Sequence, residues 1–321
     1  MVRAVPGVPE DETKVVASLG RAHKQRSIPA VAAPGPASPQ VSDPIYGCST
    51  RVSCVTSRAA TLAGDSSQNQ DRYFVGGGFA IALDGATSVA GDRSHDPGWF
   101  AGRIGEVLAH MLPSGEPIPD LVAAAIENVR DTERLVPETS PTCTVAIARW
   151  SSETVETYVL CDSIVALLHT DGSETIHTDD GIGDVLGAKR DKYRSRLSAG
   201  RGYDEGHRAL LIELQQEQAR WRNVPGGYYV AGTDPDAAYH GVTATTDRAR
   251  LTGVLLATDG VDPGRHPHAD TWRDVYAEAM AHGPDQVLDD LHAAEATDPD
   301  GRRWVRSKRH DDKTLVIVPL A

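Results

Sequence analysis

Apolar positions along this chain come in short runs of two kinds, and the order of those runs predicts its layers. TRVSCVTSRA takes polar and apolar residues in turn, as a strand with one covered face does. DRYFVGG and FAIALD predict two further strands, joined through glycines as a hairpin. PGWFAGRIGEVLAHML instead repeats at helical spacing, with Trp99, Ile104, Leu108 and Leu112 near one stripe. IPDLVAAAIENVRDTERL predicts a second helix, opened by Asp120 beside a proline and rich in helix formers.

PTCTVAIARW, TVETYVLCDS and IVALLHTDG predict three more strands, the last turning at Asp171-Gly172 into a tight hairpin. A polar stretch from Asp179 to about Asn223 predicts an irregular insertion holding one helix, RALLIELQQEQARW. GGYYVAG and GVTATT predict short strands leading to GVLLATDG. Two helices, TWRDVYAEAMAHG and DQVLDDLHAAEA, then precede a final strand, TLVIVPL. Strands joined by short turns imply antiparallel sheet, and paired helices between strand groups imply layers covering it: an α+β plan.

Residues 1–44 stand apart. Val31–Pro44 is rich in proline and small residues with little to bury, which predicts a tail or linker ahead of a single domain over residues 45–321. The 40% hydrophobic and 24% charged content predicts a water-soluble globular chain. A formal net charge of -13 disfavours nucleic-acid partners and anionic membrane surfaces, both of which select clustered Lys and Arg. No apolar run is long enough to span a bilayer, and the start has no signal-peptide core, so the expected location is cytoplasmic. Cys48, Cys54, Cys143 and Cys161 form no CxxC pair, which excludes a zinc knuckle or a thioredoxin-type redox site. Dinucleotide and P-loop fingerprints are absent as well.

Chemistry enters where apolar strands stop. Asp84, Asp162 and Asp259 each follow a strand and precede a small residue, in LDG, CDS and TDG. Asp311 precedes the last strand in DDKT, and Asp71 opens one in NQD. Any one of these fits an ordinary turn. Together they imply that strand ends of one sheet system bring several carboxylates to one edge. Two ionised carboxylates about 4 Å apart repel by roughly 4 kcal/mol at an effective dielectric near 20, so such a cluster calls for cations. All-oxygen ligands suit hard ions, Mg²⁺ or Mn²⁺, and a binuclear site could activate water against a phosphoryl group.

In this order, NQD, LDG, DS, TDG and DDKT resemble the motifs of the metal-dependent serine/threonine protein phosphatases of type 2C, the PPM family, over residues 45–321. The resemblance implies a four-layer α-β-β-α sandwich, two antiparallel sheets flanked by helix pairs, with residues 179–223 as a flap-like insertion. It implies that Asp84 bridges two metal ions with the Gly85 carbonyl as a further ligand, that Asp259 and Asp311 complete the first ion's shell, and that Asp71 binds directly or through water. Asp162 is implied for a third, weaker ion. Asp84, Asp259 and Asp311 are the implied catalytic set, and a phosphoprotein the implied substrate. Two alternatives stay open: a phosphatase of a small phosphorylated metabolite, and a regulatory or binding relative with an impaired site.

The departures from the family's pattern are specific. Ser66 and Ser67 occupy the neighbourhood of its phosphate-gripping arginine, with Arg58 and Arg72 nearby. Ala86 stands where some members carry a histidine acid, for which His95 is the candidate replacement. Cys161 replaces the glycine of GDS, and Gln70 replaces a glutamate. His266 and His268, in RHPHAD, read as a loop, and RRWVRSKRH reads as a solvated basic run.

Overall fold

Strand β3 (Phe79–Leu83) is buried along its whole length because it is covered on both sides. Phe79, Ile81 and Leu83 join a cluster with two helices, α1 (Pro97–Met111) and α2 (Ile118–Glu133). The alternate residues, Ala80 and Ala82, face a second sheet. Period two therefore sorts large side chains toward helices and small ones toward the facing sheet. The description that follows, from a computed structural model, covers residues 56–65, 68–86, 95–137 and 139–320. The tail over 1–44, Cys48, Cys54, Ser66 and Ser67 lie outside them.

The other strands are β1 (Arg58–Leu62), β2 (Arg72–Gly76), β4 (Gly85–Ala86), β5 (Thr142–Cys143), β6 (Val145–Trp150), β7 (Thr154–Leu160), β8 (Ile164–His169), β9 (Glu174–His177), β10 (Val242–Asp247), β11 (Leu251–Ala257) and β12 (Lys313–Pro319). One antiparallel sheet runs β1-β12-β11-β8-β9 and the other β10-β7-β6-β3-β2, with β4 and β5 as a short extra pair. Between the sheets lie Ala80, Ala82, Ala146 and Ala148 against Val165, Val254, Leu256, Val316 and Val318. On the outer face of the first sheet, Leu255, Leu315 and Ile317 pack against α5 (Trp272–His282) and α6 (Pro284–Ala296). The layers are therefore helix pair, sheet, sheet, helix pair, as the α+β reading expects.

Two local expectations need correction. The stretch over 179–223 is no irregular insertion: it forms two helices, α3 (Gly181–Ser198) and α4 (Glu205–Trp221). Gly181, Gly183 and Gly187 together with a strongly charged sequence hide α3 from a propensity reading. What holds it is tertiary: Ile182, Leu186, Tyr193 and Leu197 pack with Leu214, Tyr228 and Val230 in a cluster of their own. GGYYVAG forms no strand, only isolated bridges from Tyr228 to Arg222 and from Ala231 to Cys143. Of the alternating run over 50–59, residues 50–55 lie outside the described residues; the first described strand is RAATL, which pairs with β12 from Arg58↔Ile317 to Leu62↔Lys313.

Candidate metal centre

Four of the predicted carboxylates arrive at one cleft from different strand ends. Asp84 follows β3, Asp162 lies just past β7, Asp259 lies just past β11 and Asp311 lies just before β12. With Gly85 they line a cavity of about 700 Å³. Asp71, just before β2, lies beside the cleft and only 1% exposed. Its Oδ2 accepts a hydrogen bond from Thr258 Oγ1 at 2.7 Å, while its buried Oδ1 has no hydrogen-bond partner.

Glycines let these segments close on one another. A Cβ on Gly85 would stand 2.6 Å from the carbonyl oxygen of Pro97, the first residue of α1, and 2.9 Å from that of Gln70. A Cβ on Gly260 would meet the Asp312 carbonyl oxygen at 1.9 Å. Glycine after Asp84 and Asp259 is thus a packing requirement: the backbone beside each carboxylate is pressed against a neighbouring segment.

Asp311 and Asp312 divide their labour. Asp312 accepts from Gly64 N at 2.7 Å with one oxygen and from Gln70 N at 2.8 Å with the other. It fastens the DDKT segment to the NQD segment and has no oxygen to spare. Asp311 turns to the cleft, where its Oδ1 accepts from Lys308 Nζ at 2.6 Å.

Electrostatics follow from this crowding. Burial pushes the Asp71 carboxyl up to about 7, Thr258 and Thr314 pulling it down and the charges of Asp311 and Asp312 adding to the rise. Asp84 is raised well above the carboxylate range by burial and then by Asp71, Asp259 and Asp311. Asp259 is raised to about 7 by burial, then by Asp311 and Asp162. Its side chain keeps open contact with solvent, so water screens those charges and weakens the rise relative to that of the enclosed Asp71. Asp162 is raised by burial and lowered by Arg190, whose guanidinium stands 3.8 Å away.

A hard divalent cation fits this donor set. The donors on offer are carboxylate oxygens with the Gly85 backbone beside them, one buried oxygen is unpartnered, and the carboxylates resist ionising together without added positive charge. The cleft supplies some such charge itself. Burial pulls the Lys308 ammonium down, but Asp311, Asp84 and Asp259 together raise it above its ordinary value. Lys308 comes from the basic run read as solvated, and only its position three residues before Asp311 could have marked it. Arg190, Arg194 and Arg222 line the α3–α4 wall of the same cavity, beyond the reach of any sequence motif.

Other candidates lie elsewhere. Arg58 donates to the Met280 carbonyl, and Arg72 to the carbonyls of Asn69 and Asp71, so neither lines the cleft. His95 packs on Trp99 with ring centroids 4.6 Å apart. Asp171 accepts from Ser173 in a hairpin turn at Gly172. His266 and His268 sit edge to face in their loop. Cys161, in the place of a glycine, keeps a glycine-like backbone with φ of 70°.

No family model matches the chain, and no curated protein matches it in sequence. Solved structures do match in fold. The catalytic domain of the serine/threonine protein phosphatase PstP in complex with two manganese ions is 16% identical, with a TM-score of 0.50 over 83% of this chain and 97% of that one. The serine/threonine phosphatase Stp1 from Staphylococcus aureus is 12% identical, with a TM-score of 0.51 over 86% and 99%. A bacterial serine phosphatase is 12% identical, with a TM-score of 0.51 over 83% and 98%. At these identities the likeness establishes a shared fold, the two-sheet sandwich with its helix pairs.

Proposed function

We propose that this chain is a phosphatase of the PPM type, a Mg²⁺- or Mn²⁺-dependent phosphomonoester hydrolase acting on phosphoserine or phosphothreonine in proteins. The observation that carries it is the meeting of Asp71, Asp84, Asp259 and Asp311 around one cleft with a buried carboxylate oxygen left unpartnered. The manganese-bound PstP domain shares the fold.

Asp84, Asp259 and Asp311 would hold two ions, with the Gly85 carbonyl and Asp71 completing the set and Asp162 serving a weaker third position. Such ions supply Lewis-acid activation of water and neutralise charge on the phosphoryl oxygens. The chain's own residues fix the geometry. Asp312 locks two site segments together through backbone N–H groups, so the carboxylates meet a substrate without rearranging. Lys308 and Arg190, the cations nearest the carboxylates, are the groups placed to bind phosphoryl oxygens. They take the part for which the sequence supplies no inward-facing Arg58 or Arg72.

The substrate reading rests on the far wall. The cavity extends past the acidic floor to Arg194, Arg222, Gln215 and Gln218 on α3–α4 and the residue that follows, far more room than one phosphate fills. A peptide segment bearing acidic neighbours suits it. Hydrolysis of p-nitrophenyl phosphate with added Mn²⁺, abolished by chelator and by Asp259→Ala, tests the chemistry. A panel of phosphopeptides against phosphorylated metabolites tests the substrate class. An inert protein that still binds phosphopeptide would favour the regulatory alternative.

A further inference from the structure

Beneath the cleft lies a second charged cluster whose parts all meet at one side chain. Glu295, on α6, is 0% exposed. Its Oε1 takes the Arg265 guanidinium at 2.6 Å, and its Oε2 takes the Lys313 ammonium at 2.8 Å. Each cation then reaches one step further. Arg265 donates to the Asp259 carbonyl at 3.3 Å, and Lys313 donates to the Asp311 carbonyl at 2.8 Å. One enclosed carboxylate is thereby wired through two cations to the backbones of two cleft carboxylates that are distant in sequence.

The same region superficially suggests a metal site, since His292, Glu295 and His310 place ligand atoms within 4.8 Å of one another. Charge argues otherwise. The Lys313 ammonium already stands against the oxygen such an ion would use, and Arg265 holds the other. His310 Nδ1 lies 3.1 Å from the same oxygen as Lys313, so a metal ion there would have to displace cations that already neutralise Glu295.

We infer that Glu295 is a positioning residue that sets the spacing of Asp259 and Asp311 by fixing their carbonyls through Arg265 and Lys313. This rests on the reading of Asp259 and Asp311 as metal ligands. The physical basis is that these are aspartates, one bond shorter in reach than glutamate. Their carboxylates follow the backbone closely, and small displacements of a ligand pair change ion affinity steeply. Arg265 suits the role because Nη1 donates to Glu295 and Nη2 to the Asp259 carbonyl, a spacing held by the rigid planar fork of a guanidinium. Lys313 does so on the other side because its single point of charge lies between Glu295 and the Asp311 carbonyl.

Two variants test this, with Mn²⁺ affinity measured directly on the full chain by electron paramagnetic resonance of free Mn²⁺, and folding by far-UV circular dichroism and melting temperature. Arg265→Lys keeps the charge beside Glu295 but removes the fork. Glu295→Gln combined with Lys313→Met removes the carboxylate together with one of its two cations, and the other, Arg265, keeps its ion pair with Asp262 at 3.2 Å. Both variants are expected to stay folded and to bind Mn²⁺ about 10–100-fold more weakly, a magnitude typical of residues that support metal ligands. A purely structural cluster would lower the melting temperature and leave affinity unchanged. If wild-type protein binds Mn²⁺ and both folded variants bind it equally well, the positioning role is overturned while the metal centre stands. If wild-type protein binds no Mn²⁺, both readings fall together.

Discussion

The sandwich edge and the α3–α4 hairpin face the same cleft and are built by opposite means. At the edge, position is fixed by backbone: strands end in register, Gly85 and Gly260 allow segments to touch, and Asp312 ties two of them with paired hydrogen bonds. In the hairpin, position is fixed by a small apolar cluster with long charged side chains projecting beyond it. The first arrangement suits reacting groups, which tolerate little displacement. The second suits groups that recognise a variable partner, because the surface of a helix can change residue by residue without disturbing a sheet.

That contrast can be broken or sharpened by measurement. The largest effect belongs to the edge: Asp84→Asn or Asp259→Ala is expected to lower Mn²⁺-dependent kcat/KM on p-nitrophenyl phosphate on the order of 10³-fold. Near-wild-type turnover would remove the carboxylates from the mechanism. Next comes Gly260→Ala, whose Cβ would lie 1.9 Å from the Asp312 carbonyl oxygen. It should cost about 3 kcal/mol in urea unfolding.

The metal-free protein should also show a pH slope. Asp71 and Asp259 carry folded-state values raised to about 7, so the native state holds protons that the unfolded chain releases near pH 4. Stability therefore falls as pH rises from about 4 toward 7, by a few kcal/mol, mainly through the enclosed Asp71. Mn²⁺ should flatten the slope. A metal-free protein that gained stability over that window would contradict the crowding of these groups.

The hairpin should show a smaller and selective effect. Replacing Arg194 and Arg222 by Glu is expected to lower the ratio of acidic-phosphopeptide to p-nitrophenyl phosphate kcat/KM about tenfold, or about 1.4 kcal/mol. An unchanged ratio would sever the hairpin from substrate choice. Smallest is Cys161→Gly, which relieves the left-handed backbone at φ 70° but empties part of a packed cluster. The two terms oppose each other, and a change under about 1 kcal/mol in unfolding free energy is expected.

Legibility in the sequence followed the same division. Strand ends could be read because an apolar run stopping at Asp-Gly is a local signal, and β3, β11 and β12 lie where FAIAL, GVLLA and TLVIV place them. α1, α2, α5 and α6 were legible from their apolar stripes, since each has a sheet to cover. α3 was not, because its glycines and charges give no periodic stripe and its partners, Leu214, Tyr228 and Val230, lie far along the chain. Lys308, Arg265, Lys313 and Glu295 were missed for a related reason. A cation's value depends on what it stands beside, and a buried glutamate within an ordinary helix carries no mark of its burial.

The thiols flanking the cleft have a practical consequence. Cys143 and Cys161 are buried, and burial, aided by Asp84 for the first and Asp162 for the second, holds both protons well beyond the ordinary range. Neither offers a thiolate to iodoacetamide or peroxide at neutral pH, since both reagents attack the deprotonated sulfur. On the proposed reading, Cys143 and Cys161 should therefore not be the point at which oxidation silences turnover, as the nucleophile is in phosphatases built around a cysteine.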